Sequence, residues 1–147
     1  MKQIFDIKRK SLARCVAVIL LGSASLITVA SAQNNEAILK TSAGVPYVSG
    51  GIGTDSIDRL DALASQFNLK LVFALRTGVY LSDVKVTVAD ARGTTLLDAL
   101  SQGPWLMAKL PAGNYQIAAT VAGVTERRSV AIGGAKLSTV DFRWASE

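Results

Sequence analysis

Apolar and polar residues alternate with a period of two over much of the chain's second half. Val84, Val86 and Val88 alternate with Lys85 and Thr87, which sends one row of side chains to a core and the other to solvent. The same period recurs at Leu69, Leu71, Phe73 and Leu75, at Tyr115, Ile117, Ala119 and Val121, and at Val140, Phe142 and Trp144. Val130 and Ile132 share a face at the end of the segment that starts at Val124. Turn-forming residues separate these runs: Gly78, Asp90-Ala91-Arg92-Gly93, Ser101-Gln102-Gly103-Pro104, Pro111-Ala112-Gly113-Asn114, Ala122-Gly123 and Gly133-Gly134. With Thr94–Ala99 as a return strand and Trp105–Leu110 as another, the pattern predicts seven short strands. Their spacing leaves no room for crossover helices and fits an antiparallel sandwich. One segment reads both ways, because Leu96, Leu97 and Leu100 also fit a short helix.

A single helix is expected ahead of the strands, over residues 55–67. Ile57, Leu60, Leu63, Ala64 and Phe67 recur at spacings of three and four, with Asp61, Ala62, Ser65 and Gln66 on the other side. Thr54 or Asp55 is placed to cap it, Asp58 suits the first turn, and Asn68 is a stop. Residues 33–53 read as a tail and linker. Gln33-Asn34-Asn35 is polar and Ser49-Gly50-Gly51-Ile52-Gly53 is flexible in composition, although Ile38, Leu39, Val45, Tyr47 and Val48 are apolar enough for partial order.

The first 32 residues have the organisation of a secretory signal peptide. Lys2, Lys8, Arg9, Lys10 and Arg14 are basic, Cys15 to Val29 is apolar, and Ala30-Ser31-Ala32 is a small-x-small cleavage site. The apolar stretch is shorter than the roughly 20 residues of a spanning helix. Cys15 opens that stretch instead of closing it, which argues against a lipoprotein. The expectation is a periplasmic or secreted protein beginning at Gln33, with no transmembrane segment. Cleavage changes the charge. The whole chain carries 16 Lys+Arg against 11 Asp+Glu, and the mature part keeps 11 against 10. The mature surface is then nearly balanced, so a basic pI of 9.6 gives no reason to expect nucleic acid as a partner.

The residue inventory removes several chemistries. There is no histidine and one cysteine, which excludes histidine-dependent triads, cysteine/histidine zinc sites and disulfide frameworks. A Ser–Lys dyad needs no histidine, but no serine lies in a nucleophile turn. Paired carboxylates for glycoside hydrolysis are disfavoured in so small a domain. Gly50-Gly51-Ile52-Gly53 before a helix suggests anion binding on backbone N–H groups. It lacks the P-loop and dinucleotide spacings, and a linker is the plainer account. Asp55, Asp58 and Asp61 are three apart, which spreads them around a helix and suits capping and solvation better than a calcium site. Trp105, Trp144, Tyr80 and Tyr115 are candidates for an aromatic platform for sugars or peptides, with core packing as the alternative. The expectation is therefore no catalytic residues, no metal and no cofactor.

From Tyr80 to about Trp144 the chain resembles the carboxypeptidase regulatory-like domain, a transthyretin-like Greek-key sandwich. The resemblance rests on Val84-Lys85-Val86-Thr87-Val88, on Asp90-Ala91-Arg92-Gly93, and above all on Leu110-Pro111-Ala112-Gly113-Asn114-Tyr115-Gln116-Ile117. The family's Gly-x-x-x-Thr-Asp-x-x-Gly segment is replaced by Asp98 to Trp105. The resemblance implies a seven-stranded antiparallel Greek-key β-sandwich over 54–147 behind one flanking helix. It also implies a non-catalytic interaction or assembly module of a Gram-negative cell envelope. Exposed strand edges are the expected contact surfaces for an envelope protein partner, since an unpaired edge accepts a partner strand. Related Cna-B-type domains form an isopeptide bond promoted by a glutamate four residues after the tyrosine; Ala119 stands there, so no such bond is expected. A periplasmic small-ligand or carbohydrate-binding protein using Trp105 is the alternative. Leu60–Leu75 also resembles the start of the short N-terminal domain of secretins and TonB-dependent receptors, which would continue as a strand at Val86-Thr87-Val88 and a helix over Thr94 to Ser101.

Overall fold

A computed structural model describes residues 39–146. The leader, its cleavage site and residues 33–38 lie outside the described residues. Nine strands form: β1 (Lys40–Ser42), β2 (Val45–Gly50), β3 (Leu69–Leu75), β4 (Val84–Asp90), β5 (Thr95–Ser101), β6 (Trp105–Ala108), β7 (Gly113–Val121), β8 (Val124–Ile132) and β9 (Ser138–Trp144). One helix, α1 (Thr54–Leu63), runs into a 3-10 turn over Ala64–Gln66. The strands make a five-stranded sheet in the order β1-β2-β6-β3-β9 and a four-stranded sheet in the order β5-β4-β7-β8.

The period-two rows are the inner faces of these sheets. Leu71, Phe73, Leu106, Phe142 and Trp144 from one sheet meet Val86, Val88, Leu97, Tyr115 and Ile117 from the other in one core. Phe73, Phe142 and Trp144 lie within 6.4 Å of one another, ring centre to ring centre. Trp144 also donates its indole N–H to the Val124 carbonyl at 3.1 Å, so its polar atom is satisfied inside the core.

The helix lies on the outer face of the five-stranded sheet. Leu60 and Phe67 bury themselves against Val48 and Met107, which at full burial is worth about 1.5–3 kcal/mol for each side chain. Neither Thr54 nor Asp55 caps it; the N-cap is Gly53, without a side-chain bond. Ser56 instead turns its Oγ back to accept the Gly51 N–H at 2.9 Å.

Several expectations need correction, and one open reading is decided. Residues 40–50 are not a linker: β1 and β2 pair with each other, and β2 pairs with β6, so the domain has nine strands and starts before residue 54. Gly51, the first residue of the Gly-rich stretch after β2, is packed. A Cβ on Gly51 would lie 3.2 Å from Trp105, and one on Gly103 would overlap the Gly50 carbonyl oxygen, so both glycines let segments approach closely. The sandwich is not wholly antiparallel, since β3 and β9 run parallel from Leu69↔Ser138 to Leu75↔Trp144. Thr95–Ser101 is a strand, with Leu97, Ala99 and Ser101 buried. Its pairing with β4 outweighs helical spacing, and the secretin-like continuation as a helix there is not found.

Candidate functional site

Strand β4 spans the sandwich between two ends of different chemistry. Beyond its C-terminal end a hollow of about 560 Å³ is lined by Asp90, Asn114, Gln116, Ser129 and small neighbours. A second hollow of about 380 Å³ adjoins it, sharing Asp90 and Tyr115 and adding Pro111. Polar groups here are tied to the turns that carry them. Asp90 Oδ1 accepts the Arg92 and Thr94 N–H groups, each at 2.9 Å. The Thr94 bond is the main reason its carboxyl is held below the usual range; loss of hydration opposes it, and Arg92 adds to the lowering. Tyr115 donates its hydroxyl to the Pro111 carbonyl at 2.8 Å. Burial, then the Asp90 charge, pushes that phenol above its ordinary value.

Asn68 fastens the same end from inside. Its amide donates to the Leu110 carbonyl at 2.7 Å and the Gly134 carbonyl at 2.9 Å, and its oxygen accepts the Leu110 N–H at 2.8 Å. One buried side chain thus joins the start of β3, the β6–β7 turn and the β8–β9 turn. The sequence reading made Asn68 a helix stop only.

At the other end, before β4 begins, a groove of about 390 Å³ runs between residues 51–53 and 80–82. Ile52, Ile57, Tyr80, Leu81 and Pro104 line it, and the lining has no Asp, Glu, Lys or Arg. Ile52 is 65% exposed, Val79 57% and Tyr80 58%. Residues 79–81 form a fragment of strand on β3: Leu75 N–H donates to Val79, Leu81 N–H donates to Phe73, and Tyr80 bridges Ala74. In such an antiparallel pair the central residue's own N–H and C=O point away from the neighbouring strand. Those of Tyr80 have no partner among the described residues.

The proposed aromatic platform does not assemble. Trp144 is in the core and Tyr115 is locked to Pro111. Trp105 lies under α1 with the Lys70 ammonium 3.2 Å from its ring centre, and Asp61 reaches that ammonium at 3.7 Å. Tyr80 alone of the four is open. Asp55, Asp58 and Asp61 are exposed along the helix, and the described residues contain no cluster of three or more metal-ligating side chains. Ala119 sits in the core opposite Val86.

Two strand edges are less available than their position suggests. Ser42 Oγ both donates to the Asp98 carbonyl and accepts its N–H on the edge strand β5, at 3.2 and 3.1 Å. Gln102 N–H is bound by Ser49 Oγ. On β8 the inward row carries charge: Arg128 pairs with Glu126 at 3.1 Å and lies over Phe142. Inward charges on an edge strand oppose pairing with another chain. Among the described residues no helix is long and apolar enough to cross a membrane. No protein-family model matches the chain, and no curated protein matches it.

Proposed function

We propose that this chain is an exported, non-catalytic interaction module of the cell envelope, with a transthyretin-like Greek-key sandwich as its scaffold. The observation that carries the reading is the pair of exposed apolar side chains, Ile52 and Tyr80, that line one groove. Grouped exposed apolar residues mark contact sites far more often than scattered ones do. The basic-apolar-small order of the first 32 residues supports export. The Leu110–Ile117 resemblance supports an accessory role. Contact through the groove stands beside the expected contact through strand edges: β5 and β8 are each occupied or guarded, while β1 and β9 are the outer strands of the other sheet.

The test is a photocrosslinking side chain introduced at Ile52 in cells that export the protein. A discrete adduct with one envelope protein, absent when the crosslinker is at Lys85, is the expected result. Equal labelling from both positions would reject the reading. A small-ligand-binding function is the second reading, favoured by the amide and hydroxyl groups of Asn114, Gln116 and Ser129 around the larger hollow. It predicts amide shifts at residues 114–116 and 129–131 on titration with oligosaccharides.

A further inference from the structure

We infer that the open edge of β9 pairs antiparallel with the same strand of a second copy of this chain, Asp141 of one copy opposite Arg143 of the other. The inference stands apart from the groove and goes beyond the interaction-module reading. β9 is the outer strand of the five-stranded sheet, paired with β3 alone. At its start the Ser138 N–H donates to the Asn68 carbonyl at 2.9 Å, and at its end the Trp144 carbonyl accepts the Arg76 N–H at 2.8 Å. In a parallel ladder every second residue of a strand bonds to a given neighbour. Ser138, Val140, Phe142 and Trp144 therefore turn their backbone groups to β3, and Thr139, Asp141 and Arg143 turn theirs to the open edge. Those outward groups have no partner among the described residues.

This edge lacks the guards of β5 and β8. Its inward row, Val140, Phe142 and Trp144, carries no charge, and the strand has no proline and an unbroken register. On the other face it presents Asp141 and Arg143, both exposed and 3.2 Å apart. An unrelated strand must set a base against the first and an acid against the second, whereas a second copy supplies both. Backbone direction limits the register, because outward-facing residues must lie opposite outward-facing residues. With Phe142 opposite itself, Asp141 faces Arg143 of the other copy twice, as two-fold symmetry requires, and Val140 faces Trp144. Centring the pair on Asp141 or on Arg143 sets like charges face to face. The other charges near the edge do not upset this match. Arg128, over Phe142, is paired with Glu126 at 3.1 Å, and Arg127 alternates with it onto the far face of β8. Lys70 is held by Asp61 and Trp105. Arg76 and Lys136 lie beyond the two ends of the strand, where solvent screens them.

The test is sedimentation of the chain as purified from exporting cells, from micromolar to millimolar concentration. A monomer–dimer equilibrium with a Kd on the order of 100 µM is expected, since one strand edge buries less than a standard interface. Asp141→Arg and Arg143→Asp should each weaken it about tenfold by facing like charges twice. Combining the two substitutions restores the match and should return the dimer. Amide exchange gives a second readout: with rising concentration the Asp141 and Arg143 amides should slow, while the Phe142 amide, bonded to β3, keeps its rate. A chain that stays monomeric at millimolar concentration overturns the assignment, as does a dimer indifferent to either single substitution or not recovered by the pair. Each of these results leaves the groove reading in place. Dimerisation lost with Ile52→Asp and kept with Asp141→Arg would move the contact to the groove and likewise overturn the assignment.

Discussion

The two ends of β4 differ in how far the chain satisfies itself there, and the difference does not follow the volume of the hollows. The larger hollow lies where the chain has fastened itself, through Asn68, the Tyr115–Pro111 bond and the Asp90 turn. The smaller groove lies where apolar side chains stay in water and the Tyr80 backbone is unpaired within the described chain. Buried polar groups bonded within the fold specify that fold. Exposed apolar groups contribute little to it and are free for a partner. One end is thus held by bonds within the fold, and the other is where we propose that recognition occurs.

Substitutions should separate the two ends by their effect on stability. Asn68→Ala should be the most damaging, at about 3 kcal/mol, because it strands the Leu110 N–H and two carbonyls in the interior. Urea unfolding would measure it. Gly103→Ala should lose about 2 kcal/mol by forcing the Gly50 backbone away. It should also open the groove wall, so it tests whether that wall is rigid. Tyr115→Phe removes one hydrogen bond and should lose about 1 kcal/mol. Ile52→Ser and Tyr80→Ser should stay within about 0.5 kcal/mol of the parent, as surface changes do. A loss of several kcal/mol at Ile52 or Tyr80 would break the contrast.

The pH dependence belongs to the fastened end. Asp90 is held below the ordinary carboxyl value chiefly by the Thr94 N–H. Its contribution is therefore present above about pH 4 and is lost as pH falls through the folded value. Tyr115 is raised, first by burial and then by the Asp90 charge. Its contribution is present below about pH 10 and is lost as pH rises through the folded value. Asp90→Asn should remove the acid limb from a plot of melting temperature against pH and bring the Tyr115 titration down. An unchanged acid limb would show that other carboxylates control it.

The period-two rows were legible because an inner face needs apolar residues at every second position. Val84, Val86 and Val88 announce their strand, and all seven expected strands form. The helix was legible from Leu60, but it ends at Leu63 and gives way to a 3-10 turn, so Phe67, expected to close it, is extended. Residues 40–50 were not, since Lys40-Thr41-Ser42 is short and mostly polar, and Pro46 interrupts the next run. Gly50, Gly51 and Gly103 carry the same lesson from the opposite side. Locally glycine reads as freedom, whereas here it is required by the close approach of Gly103 to Gly50 and of Trp105 to Gly51. The parallel pairing of β3 with β9 depends on segments distant in the chain, for which alternation gives no register. Of the groove, only Tyr80 stood out in the sequence, grouped with aromatics that the fold sends elsewhere. Ile52 was visible as an apolar residue between glycines, and the linker reading hid it.

Amide hydrogen exchange at Tyr80 and Leu81 tests the account most directly. In the free protein the Leu81 amide, bonded to Phe73, should exchange slowly, and the adjacent Tyr80 amide should exchange at close to the rate of an open chain. A Tyr80 amide already protected in the free protein would contradict it.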